Sequence, residues 1–134
     1  MTEATTDDLD RAVADASAPA WTTRVRAGRD LAPYAGLPRA AEALLALLLD
    51  PEDTAVTRAT AEALTRAGTA DALRFVARAA ARADAQQADW LATGAHDALP
   101  ETTTEPTAPR DALAEDPDEA VRRGAELLAA RPTG

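Results

Sequence analysis

The chain contains no cysteine, no lysine, no isoleucine and no asparagine, and it has a single histidine, His96. Without cysteine, neither a disulfide framework nor a thiolate metal site can form, and nothing implies an oxidising compartment. Lysine, isoleucine and asparagine all have AT-rich codons. Their joint absence points to a GC-rich bacterial genome and makes the all-arginine basic set, 14 residues, partly a matter of codon usage. Aromatic residues are also scarce, at two tryptophans, one tyrosine and one phenylalanine. A core with so few rings has to be built by close backbone approach, which packed helices allow. No apolar run reaches the roughly 18 residues needed to span a bilayer. The N-terminal segment carries Glu3, Asp7, Asp8 and Asp10 without an apolar block, which fits neither a signal peptide nor a transit peptide. A cytoplasmic protein is expected.

What is present suits one globular domain over 1–134, with 46% apolar and 28% charged residues. The net charge of −9 is unevenly spread. Residues 1–19 hold one arginine against five acids, 20–82 nine against seven, and 83–134 four against eleven. Such a field repels phosphate backbones, so only the middle segment could host a basic stripe. The stretch Pro100 to Pro109 has three prolines, four threonines and no apolar periodicity, and reads as an exposed loop.

Elsewhere the apolar spacing is helical, and strand alternation fits nowhere for more than a few residues. The expected helices are Asp7 to Ser17 with Thr6 as N-cap, an acidic cap over 1–19; Ala20 to Tyr34; 38–49; Asp53 to Ala67, closed by Gly68; Thr69 to Ala83; Asp84 to Leu99; and Pro117 to Ala130. Leucines 44, 45, 47, 48 and 49 occupy nearly every side of the 38–49 helix, which places it at the centre of the core.

The sequence also repeats. Val25, Val56, Leu91 and Val121 align, and three residues later stand Gly28, Ala59, Gly94 and Gly124. A glycine inside a helix costs about 1 kcal/mol relative to alanine, so three in one register imply compensating close helix contacts. Acids follow at Asp30, Glu62, Asp97 and Glu126, and the stripes close at Ala32, Leu64, Leu99 and Leu128. The first and last units share Val-Arg-x-Gly-x-(Asp/Glu)-Leu, at 25–31 and 121–127. Asp116-Pro117-Asp118-Glu119-Ala120-Val121-Arg122 and Asp50-Pro51-Glu52-Asp53-Thr54-Ala55-Val56 both lead from an Asp-Pro turn into a helix that begins with valine.

In these motifs the chain resembles the HEAT-repeat family in its short bacterial form. The resemblance covers roughly residues 20–130 and implies an all-α, right-handed α-solenoid of about three to four helix pairs. The third pair is incomplete. It has Ala92 and Thr93 where arginines are expected, and the Pro/Thr loop plus a short Arg110 to Glu115 turn replace its second helix. Each pair in such a stack leaves an apolar face that only the next can cover.

Chemistry is sparse. Ser17 is the only serine and lies three units from His96, so a nucleophile and base pair is not expected. No second histidine stands at ligand spacing, no phosphate-binding loop occurs, and the paired His-Glu motifs of HEAT-like metal hydroxylases are absent. Neither catalysis nor a metal or cofactor is expected. The feature that stands out is Arg74, Arg78 and Arg82 at i, i+4 and i+8, where like charges repel by a few tenths of a kcal/mol per pair. The resemblance places this ladder on the concave surface with Arg39, as an anion-binding site. The alternative is that the arginines are solvated or pair with Asp84, Asp89 or the acidic loop. Trp90, one residue before the Leu91 anchor, is a candidate interface residue, whereas Trp21 is read as cover for the alanine core. The expected function is a non-catalytic scaffold that binds a protein partner through Arg39, Arg74, Arg78, Arg82 and Trp90. An acidic immunity or antagonist protein, covering a basic toxin or nucleic-acid enzyme with the acids at 111–119, is the alternative. A DNA-binding relative of the HEAT-like glycosylases fits less well, because the chain is short and has no lysine.

Overall fold

The computed structural model describes residues 2–50, 52–97 and 113–129. The loop expected at 100–109, Leu99 and Arg110 lie outside the described residues, as do the side chains of Thr6, His96, Asp97 and Leu128. Seven α-helices are described: α1 Thr2–Asp15, α2 Trp21–Leu31, α3 Pro38–Leu48, α4 Thr54–Ala67, α5 Ala70–Arg82, α6 Ala85–Asp97 and α7 Glu119–Ala129. Short 3-10 turns lie at Ala32–Tyr34 and Leu113–Glu115. Among the described residues there is no strand, so the fold is all-α.

Local chemistry sets most boundaries. Asp53, Thr69, Asp84 and Asp118 each accept a backbone N–H of the first turn, from Ala55 at 3.0 Å, Ala72 at 3.1 Å, Gln87 at 2.8 Å and Ala120 at 2.9 Å. Each therefore satisfies a donor that the helix itself cannot. Gly68 ends α4 at φ 69°, in the left-handed region open to glycine, and returns the chain into α5. Several boundaries differ from the sequence reading: α1 ends at Asp15 and not Ser17, and α7 starts at Glu119, after the Asp118 cap, and not at Pro117. Helix α1 begins at Thr2, because Glu3 and Ala4 favour helix and nothing there stops it. The Ala20 to Tyr34 run leaves the α form after Leu31, because Pro33 has no N–H to donate to the Arg29 carbonyl and the chain tightens into a 3-10 turn.

The helices pack in two rows, α2–α4–α6 and α3–α5–α7, with α1 against α2 and α3. Neighbours within a row run parallel. Helix α2 meets the α4 unit first through Arg24 and Asp50 and then through Gly28 and Thr60. The α6 helix meets the same unit at Gln87 with Leu49, then at Gly94 with Arg58. In the second row Arg74 meets Asp116, and further along Ala77 meets Gly124. The main core gathers on α3 through Leu44, Leu47 and Leu48, with Leu31, Val56, Leu64, Val76 and Leu91 around them. A smaller cluster of Leu73, Ala77, Leu113 and Val121 joins α5 to α7.

The repeat register is therefore split between the rows. Val25, Val56 and Leu91 lie on the three helices of the first row, whereas Val121 lies on α7 in the second. Among the described residues, α7 packs along α5 as the third helix of the second row. Trp21 corrects the sequence reading. It is 48% exposed at the start of α2, not cover for the core.

Two polar groups inside α4 are buried without a partner. The hydroxyls of Thr57 and Thr60 find no hydrogen bond, although both residues are fully buried. Replacing Thr57 by valine keeps the shape and removes an unpaired donor, so Thr57→Val is expected to stabilise the fold by about 1 kcal/mol. A denaturant midpoint that stays level or falls would show that the hydroxyl is satisfied in solution.

Candidate binding surfaces

The arginine ladder on α5 faces the turn that starts α7. Arg74 donates through Nε to Asp116 Oδ2 at 2.8 Å and through Nη2 to Oδ1 at 3.4 Å, and Arg78 Nη2 donates to Asp118 Oδ2 at 3.1 Å. The Arg78 guanidinium also lies 5.8 Å from the centre of the Phe75 ring. These two guanidiniums are thus engaged by carboxylates of the acidic segment, which relieves their mutual repulsion. The same turn is braced internally. Asp116 Oδ1 accepts the Asp118 N–H at 2.9 Å, and Arg122 donates to the Asp116 carbonyl at 2.6 Å. Both carboxyls are held below the ordinary aspartate range. For Asp116 the chief cause is the Asp118 backbone N–H, followed by Arg74; for Asp118 it is the Ala120 backbone N–H, followed by Arg78.

The other members of the expected site lie apart. Arg82 is exposed and makes no ion pair among the described residues. Arg39 pairs with Asp10 of α1, and both side chains are about half exposed, so the pair adds little stability. Trp90 is half-buried on α6, in the other row. The structure therefore does not assemble Arg39, Arg74, Arg78, Arg82 and Trp90 into one constellation.

The Asp50-Pro51 turn repeats the Asp116-Pro117 arrangement in a buried setting. Arg24 donates through Nε to Asp50 Oδ2 at 2.8 Å and through Nη1 to the carbonyls of Ala18 and Pro19 at 2.8 and 2.9 Å. Asp50 Oδ1 accepts the N–H groups of Glu52 and Asp53, both at 2.8 Å. Each turn thus uses one aspartate to hold its own backbone and an arginine from the previous helix of its row. In sequence the only trace is that an Asp-Pro pair precedes both helices.

One surface was not singled out from the sequence. Between α1, α2 and the Ala32–Tyr34 turn lies an open cleft of about 630 Å3. It is lined by Arg11, Arg26 and Arg29, by Asp8, Asp15 and Asp30, and by Leu9 and Tyr34. None of the six charged side chains makes an ion pair among the described residues. The sequence signal was only that polar faces of two adjacent helices both carry arginines and aspartates. The arrangement can receive carboxylates and ammonium or guanidinium groups together, with a phenol and a leucine for apolar contact.

No three His, Asp or Glu side chains cluster as metal ligands among the described residues. None of the described helices is long and apolar enough to cross a membrane. No protein-family model matches the chain, and no curated protein or solved structure matches it either.

Proposed function

We propose that this chain is a non-catalytic helical-repeat scaffold, a short HEAT-like right-handed solenoid, that binds a protein partner. Parallel stacking within two rows, with a glycine at three of the helix contacts, supports the repeat reading. The observation that carries the binding reading is the α1–α2 cleft, in which six charges and two apolar side chains face solvent with no ion pair among the described residues. Charges placed this way confer partner selectivity and association rate more than raw affinity, and arginine adds planar, bidentate contacts to carboxylates. The antagonist reading is weaker, because Asp116 and Asp118 already engage Arg74 and Arg78 within the chain.

The test is an affinity capture with the full chain and its Arg26→Glu/Arg29→Glu variant, partners being identified by mass spectrometry. Both arginines are exposed, so the thermal midpoint is expected to hold. Recovery of the specific partner is expected to fall about tenfold or more. Undiminished recovery would remove the cleft as the binding surface.

A further inference from the structure

We propose that the α1–α2 cleft is the interface of a symmetric dimer, so that the partner it binds is a second copy of this chain. The proposal deepens the protein-binding reading of that cleft and rests on it.

Charge complementarity carries it. The cleft holds three arginines and three aspartates, and the two signs are divided unevenly between its walls. The α1 wall presents Asp8 and Asp15 with Arg11, whereas the α2 wall presents Arg26 and Arg29 with Asp30. One wall is therefore net negative and the other net positive. A two-fold axis running along the cleft lays the α1 wall of each copy on the α2 wall of the other, so that each excess of charge meets its opposite. An isologous interface requires this, because a single patch must be its own complement. An occupant of one sign fails: an acidic segment sets its carboxylates against the three aspartates, and a basic one sets its cations against the three arginines.

The charges are also free to be used. Arg11 and Asp15 stand at i, i+4, as do Arg26 and Asp30, yet neither pair closes among the described residues. Both have arginine first, the order from which a helix gains least, since its dipole favours the acid nearer the N-terminus. Leu9 beside one wall and Tyr34 beyond the other are half-buried, and the exchanged contact covers both. Two copies of net charge −9 repel overall, so a face of balanced sign is where they can meet.

Sedimentation velocity of the full chain over a concentration series is the test. Wild type is expected to be a reversible dimer with a micromolar dissociation constant. Arg26→Glu/Arg29→Glu and Asp8→Arg/Asp15→Arg are each expected to raise that constant at least about tenfold. An equimolar mixture of the two variants is expected to form a heterodimer within about threefold of wild-type affinity, because the reversed walls match again. Both variants stay net negative, so overall attraction cannot produce that recovery. Circular dichroism melts check that each is folded, and Asp8→Arg alone takes the place of the pair if half-buried Asp15 does not accept arginine. The proposal is overturned by wild type that is monomeric at its highest soluble concentration, by a dimer indifferent to both reversals, or by a mixture that stays monomeric. Affinity capture of a different protein, lost with Arg26→Glu/Arg29→Glu while wild type is monomeric, would overturn the second copy as occupant and keep the cleft as a binding surface.

Discussion

Arg24→Met is expected to destabilise the fold by about 3–5 kcal/mol, far more than removal of an exposed charge. The reason lies in where the pair sits. Arg24 and Asp50 are each 7% exposed, so removing one partner leaves the other charged in a place water hardly reaches. The guanidinium does more than neutralise. It closes the Ala18 and Pro19 carbonyls before α2 and fixes the carboxylate that holds the Glu52 and Asp53 amides before α4. Asp50→Ala should cost at least as much, because the two amides lose their acceptor as well. In the double variant Arg24→Met/Asp50→Asn no buried charge remains and the amide acceptor is kept, so at least about half of the single-variant loss should return. Urea denaturation of the four proteins gives the answer. A loss under about 1 kcal/mol for Arg24→Met would mean that the pair is as inconsequential as an exposed one.

The contrast between that pair and the helix caps shows what this sequence discloses. Asp53, Thr69 and Asp84 act on residues two or three positions away, so the cap and the donor it serves lie in one short window, and these boundaries could be read directly, whereas Asp118 caps a helix that the sequence reading begins at Pro117. The leucine-rich helix at 38–49 was equally legible, because apolar residues on every side require neighbours on several sides. Arg24 and Asp50 are 26 positions apart, and Arg74 and Asp116 are 42 apart. Nothing local joins them, and the Asp-Pro pairs read only as turns. The ladder on α5 advertised an unmet need for acids, which is visible in a helix, but the acids that meet it come from the far side of 98–112. Trp21 illustrates a different limit. Helical periodicity assigns it the apolar face with Val25 and Gly28, yet periodicity does not say whether a neighbouring helix reaches as far as the first turn. The α1–α2 cleft was missed for a related reason, since its two arginine-bearing faces are unremarkable until the helices are placed side by side.

The glycines of the repeat register yield the second large effect, and their ranking comes from what each would strike. Alanine in place of a helical glycine gains about 1 kcal/mol of helix propensity where space allows, so the sign of each substitution reports the space. At Gly28 a Cβ would come 2.5 Å from the Thr60 hydroxyl oxygen, a side-chain atom with no hydrogen bond to hold it. Thr60 Cβ and Cγ2 stand at 3.3 Å as well, but all three atoms belong to one side chain and none to the backbone, so Gly28→Ala should cost less than Gly94→Ala, about 1 kcal/mol. At Gly94 the Cβ would overlap the Arg58 carbonyl and press the Ala61 side chain at 3.1 Å. The backbone of α4 cannot rotate away, so α4 and α6 must separate and open contacts on Leu91 and the main core. Gly94→Ala should therefore cost about 2–4 kcal/mol across the whole cooperative melt. Gly124→Ala meets an equally fixed obstacle in the Ala77 carbonyl, but the helix it displaces belongs to the smaller cluster. Its loss should be local: faster amide exchange throughout α7, an earlier partial transition, and a main melting transition close to that of the wild type. Equal and global losses for Gly94→Ala and Gly124→Ala would mean that α7 is an inseparable part of the core, whereas stabilisation by either would mean that neighbouring helices within a row lie further apart than these contacts place them.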